Sequence, residues 1–123
     1  MSYGPMSINS LATADMVSPG MPIFIAANQI DNNIITLTIA LPTMDADGSN
    51  LSGLAKLIIV SLPMTGGVNP FENMGMNEAL ALPGVQQIVV AVDVAEAGTE
   101  KQVNVPVMNL GGTQAFGAAC GDG

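Results

Sequence analysis

The stretch that decides the fold is "ITLTIALPTMDADGSNLSGLAKLIIV", residues 35–60. In its first part Ile35, Leu37, Ile39 and Leu41 fall on one face, and Ile34, Thr36, Thr38 and Ala40 on the other. Strand side chains alternate between faces, so this period of two marks a half-buried antiparallel strand. "LAKLIIVSL" (54–62) is a further strand, β-branched at its centre. Between them "TMDADGSNLSG" (43–53) gathers Asp, Gly, Ser and Asn, the residues that turn a chain.

That connection also holds the nearest thing to a chemical motif, Asp45-x-Asp47-Gly48. Set at positions 3, 5 and 6 of a calcium loop, it puts Thr43 at position 1 and Leu54 at position 12. The first carboxylate and the closing bidentate Glu are both missing, so the reading is a turn, with Asp45 and Asp47 as the minority calcium candidates. No metal or other cofactor is expected.

Working outward, "PIFIAANQI" (22–30) reads as a first strand, and "GVQQIVVAVDV" (84–94) and "KQVNVPVMNL" (101–110) as later ones. Pro106 has no N–H to give a ladder, which predicts a sheet edge or a bulge there. "MNEALALP" (76–83) fits a short strand; a helix near 72–82 is the alternative, weakened by Gly75. Short strands at intervals of about ten residues predict an all-β chain, a single antiparallel sandwich of about seven strands. Residues 1–21 have no period and read as an N-terminal arm, a docking segment or a frayed end. The sandwich domain runs over 22–110, and 111–123 is a Gly-rich C-terminal tail. The single cysteine, Cys120, lies in that tail as an inert thiol or, alternatively, half of an intermolecular bridge.

The net charge is −8, with Lys56 and Lys101 as the only basic residues. Nothing here neutralises phosphates, which excludes nucleic acid and anionic membrane surfaces as expected partners. Only 10% of residues are charged, against about 25% in ordinary soluble domains, so much of the surface is neutral. The chain has neither a basic segment leading into an apolar run nor an apolar stretch of bilayer length, so no signal peptide or transmembrane segment is expected. There is no His and no Arg, one Cys, and no Gly-rich phosphate loop followed by Lys. The acids are scattered. The expectation is a protein that is not an enzyme.

With the strands placed, residues 22–110 resemble a fibronectin type III domain. Leu37-Thr38-Ile39-Ala40-Leu41-Pro42, Asp47-Gly48-Ser49-Asn50-Leu51 and Leu54-Ala55-Lys56-Leu57-Ile58-Ile59 are similar to the family's B strand, B–C loop and C strand. "VVAVDVAEAGTEKQVNVPV" (89–107) resembles strand F, the F–G turn and strand G. The family's three aromatic landmarks are replaced by Ile39, Leu57 and Val85. An immunoglobulin-like sandwich fits nearly as well. The resemblance implies that Val85, Gln87, Val89 and Ala91 point inward, leaving Ile88, Val90 and Val92 outward. An apolar outer face, shared by Ile58 and Val60, calls for cover by the arm, another subunit or a different protein, or by the chain's own 63–76 loop.

The expected function is therefore a structural or interaction protein, a virion accessory of the capsid-decoration kind. It would dock on a capsid or other assembly subunit, or on itself, through Met6, Ile8, Leu11 and Met16 of the arm and through Ile88, Val90 and Val92. The alternative is a cell-surface or tail-fibre module whose loops bind a carbohydrate or receptor. Tyr3, Phe24, Phe71 and Phe116 are the only aromatics for sugar stacking, which counts against it.

Overall fold

The computed structural model describes residues 19–51, 53–64, 67–108 and 110–122. The chain runs β1 (Ile23–Gln29), β2 (Ile34–Ala40), β3 (Lys56–Met64), α1 (Met76–Leu80), β4 (Gln86–Ala91), a one-turn 3-10 helix (Val94–Glu96), β5 (Glu100–Pro106) and β6 (Thr113–Gly121). The strands form two antiparallel three-stranded sheets, ordered β1-β2-β5 and β4-β3-β6.

The alternation of β2 sets the first sheet. Leu37 and Ile39 are fully buried, while Thr36 on the opposite face donates its hydroxyl to Asn104 Oδ1 at 2.9 Å, across the β2–β5 pair. The β1–β2 turn closes on Asp31, whose carboxylate accepts the N–H groups of Asn33 and Ile34 at 2.7 and 3.1 Å. This is the local bonding that makes Asp a turn residue. β5 ends at Pro106 on the sheet edge, where the missing N–H costs no ladder bond.

The inner faces of both sheets meet in one core. Leu37 and Ile39 of β2, Val103 and Val105 of β5, Leu57 and Ile59 of β3 and Cys120 of β6 belong to the same cluster. Ile39 and Leu57, standing where the resemblance expects aromatics, are both at its centre; Val85 packs in a second cluster on the far side of β3. There Ile58, Val60 and Ala119 are covered by Met76 and Ala79 of α1 and by Phe71 and Met74. The outer face of β3 is thus covered from within the chain.

Four expectations are corrected. Residues 76–80 form a helix rather than a strand, and Gly75 serves as its N-cap in extended conformation, marking where the helix begins. Residues 113–121 are no tail: β6 pairs with β3 over nine consecutive residues, from Met64↔Thr113 to Lys56↔Gly121. Its Ala and Gly content hid it, because these residues have little strand propensity. They are there for packing: a Cβ on Gly117 would lie 3.1 Å from Val60 Cγ2. Third, β4 and β5 do not form a hairpin. They lie in different sheets, and the capped 3-10 turn between them carries the chain across. Fourth, six strands are present among the described residues instead of about seven.

Candidate functional site

Three places bear on function: the Asp45–Gly48 turn, the face of β4, and the β1 edge. In the turn, Asp45 N–H donates to Ser49 O and Gly48 N–H to Asp45 O, both at 2.9 Å, and Met44 bridges Asn50. Gly48 takes φ +86°, the left-handed region that Gly enters without a Cβ clash. The Asp47 carboxylate accepts the Ser49 hydroxyl at 2.5 Å and the Ser49 N–H at 2.9 Å. These bonds favour its charged form and lower its pKa from the ordinary 3.8. Asp45 is buried beside Pro19, which bridges it. The Asp47 carboxylate thus closes the turn on Ser49, while the Asp45 backbone joins the turn to the start of the described chain at Pro19. Among the described residues no three His, Cys, Asp or Glu side chains are grouped to hold a metal ion.

On β4 the expected outward residues face in. Ile88 lies opposite Ile59 and Val90 opposite Leu57, and residues directly opposite share a face. Ile88 and Val90 pack on the inner core and Val92 is buried within it. Gln87, Val89 and Ala91 are the exposed set. A shift of one residue in parity flips every side chain of a strand, and β4 runs with the parity opposite to the one the fibronectin resemblance implies. Ile88, Val90 and Val92 therefore face the core rather than solvent. Met6, Ile8, Leu11 and Met16 lie outside the described residues.

The apolar surface lies elsewhere, on β1. Every residue of this strand except Ala26 is exposed. Met21 and Ile23 are 66% and 62% exposed, and Ile25 and Phe24 are 52% and 43%. Among the described residues β1 bonds to β2 on one side only, and its register shifts between Phe24 and Ala26, leaving Ile25 as a bulge. Phe24 pairs with the buried Ile39, so it belongs to the face between the sheets, yet among the described residues no strand closes over it. On the facing sheet β6 is also an edge among the described strands. Between the two edges runs a groove of about 310 Å³, lined by Phe24, Ala27, Leu37, Met64 and Phe116 among others. No charged residue lines it. The signal was in the sequence: "PIFIAA" is apolar at consecutive positions, where a strand with one solvated face alternates.

One end of this groove is tied by Gln114. Its amide N–H donates to Ser61 Oγ at 2.7 Å and to Pro106 O at 3.1 Å, and its Oε1 accepts the Met108 N–H at 2.7 Å. A β6 side chain thus holds the end of β5 in the other sheet.

No helix among the described residues is long and apolar enough to cross a membrane. No protein-family model matches the chain, and no curated protein and no solved structure matches it either.

Proposed function

We propose that this protein is a non-enzymatic structural module that docks on protein, and in its most specific form a virion accessory of the capsid-decoration kind. The observation that carries the reading is the open β1 edge. Four large apolar side chains stand in solvent beside an uncharged groove, on a chain that is otherwise acidic. Apolar surface gathered in one place on a small domain is the mark of an interaction site. A protein partner suits a surface with no basic residues, where Phe24 and Phe116 are the two rings and the rest of the lining is mostly aliphatic.

An immunoglobulin-like sandwich is the fold that goes with this reading. Its support is the shared core between the sheets and the placing of β2 and β3 in opposite sheets, as strands B and C are in such sandwiches. The fibronectin resemblance rests on that B–C portion, since β4 and β5 do not make its F–G hairpin. Imaging of purified virus particles carrying this protein tests the functional reading: copies at regular positions on the shell support it. Absence from the particle, together with saturable binding on a glycan array, overturns it in favour of a receptor-binding module.

A further inference from the structure

We propose that Asp47–Gly48 is a modification site gated by its own turn. Closed, the turn keeps Asp47 as ordinary aspartate; each opening lets it convert to isoaspartate by attack of the Gly48 nitrogen. Glycine is the following residue that hinders this attack least, since it has no Cβ beside the nitrogen. The sequence holds two Asp-Gly pairs, and Asp47–Gly48 is the one that lies wholly within the described residues. Both residues are exposed, and a Cβ on Gly48 would meet nothing within 4 Å, so water reaches the pair. Water is the only co-reactant. In the first step the Gly48 nitrogen bonds to Asp47 Cγ, the nitrogen gives up its proton, and the carboxyl OH leaves as water. In the second, water opens the five-membered imide. Opening at Cγ restores aspartate. Opening at the Asp47 main-chain carbonyl leaves the chain running through Cβ and Cγ, which is isoaspartate. Water lost is water regained, and nothing is oxidised or reduced.

The closed turn engages both reacting groups elsewhere. The Gly48 N–H donates to Asp45 O at 2.9 Å, and a carbonyl oxygen is no base to take its proton. Asp47 Oδ1 accepts the Ser49 hydroxyl at 2.5 Å and the Ser49 N–H at 2.9 Å. Those bonds favour the carboxylate, which has no OH to release as water. The Asp45 N–H bond to Ser49 O and the Met44–Asn50 bridge hold the backbone on either side. The Asp47–Ser49 bonds lie in exposed chain, and exposed turns open locally without unfolding the domain. The rate of conversion therefore follows opening of the turn, not the stability of the core. The product cannot close the same turn. Its main chain is one carbon longer between Asp47 and Gly48, so Asp45 and Ser49 no longer meet in register. Pro19 bridges Asp45 and the Gly20 N–H donates to Met44 O at 2.9 Å, so the segment entering β1 loosens with it.

The test uses the full chain, incubated in 18O-labelled water either folded or in guanidinium. The peptide carrying Asp47–Gly48 is then followed by mass spectrometry, in which imide hydrolysis adds one 18O atom and electron-transfer fragments tell isoaspartate from aspartate. IsoAsp47 is expected to accumulate in the denatured chain and about tenfold or more slowly in the folded one, because three hydrogen bonds must break first. Ser49→Ala should narrow that folded-to-denatured ratio severalfold while its melting temperature stays close to that of the natural chain. Equal rates in the two states, no isoAsp47 in the denatured chain, or an unchanged ratio in a folded Ser49→Ala chain each overturn the proposal. The comparison of folded with denatured natural chain needs no variant and decides the matter if Ser49→Ala misfolds. Hydrogen exchange on the separated isoAsp47 product completes the test. Loss of protection at the Asp45 and Gly48 amides is expected, and protection equal to that of the natural chain overturns the claim that the turn cannot reclose.

Discussion

Cys120 sits in the inner core opposite Leu57, fully buried. Burial penalises the thiolate and pushes the thiol from its ordinary 9.0 up to about 12. The unfolded chain can release this proton above about pH 9 while the folded chain keeps it. The associated stability is complete below pH 9 and falls as pH rises from 9 towards 12. Urea melts should show that loss in the natural chain and not in Cys120→Ala, after allowing for that variant's lower baseline. An aromatic disulfide reagent should label Cys120 only as fast as the domain opens, so an intermolecular bridge needs unfolding first. Asp47 behaves in the opposite sense. Its carboxyl is lowered by the Ser49 hydroxyl and N–H, so its contribution is present above pH 3.8 and is lost as pH falls through the lowered value. Ser49→Ala should move the Asp47 carboxyl up towards 3.8 in a 13C-detected titration, with little change in stability because the site is exposed.

At the scale of elements, β3 is the centre of its sheet and β6 is half of its support. A chain ending at residue 112 should fail to fold, with no cooperative melt by circular dichroism, because β3 would lose nine pairings and the inner core would lose Cys120 and Phe116. A folded truncation would mean that β6 is dispensable. Gln114→Ala should cost about 1–3 kcal/mol in chemical denaturation, since it removes three hydrogen bonds and takes a partner from the buried Ser61. Legibility at this scale followed side-chain chemistry. β2 and β3 were readable because Ile, Leu and Thr alternate or cluster as strands require. β6 was not, since its Ala and Gly residues are chosen to let Phe71 and α1 lie against the sheet, and that need is set by elements far away in sequence. Nor was the Gln114 latch, whose partners lie 53, 8 and 6 residues away.

For the whole molecule the opposing terms are charge and exposed apolar edge. Each copy carries −8, and copies that meet repel one another. The Debye length shrinks from about 10 Å at 0.1 M salt to about 3 Å at 1 M, so screening removes most of that repulsion. Self-association should therefore strengthen with added sodium chloride, read as a rise in weight-average mass by light scattering at fixed protein concentration. Weakening with salt would mean that contacts between unlike charges hold the copies together, contrary to an apolar interface.

The sequence by itself determined that this is a strand-rich chain with Asp45–Gly48 as a turn, and which side chains of β2 share a face, because those properties arise from alternation and local hydrogen bonding. The sense in which β4 presents its two apolar faces, the strand hidden in 113–121, and the groove left open between β1 and β6 were decided only by the tertiary structure. Each depends on which strand lies beside which. One residue of register inverts a face, and a free edge exists only where the sheet stops.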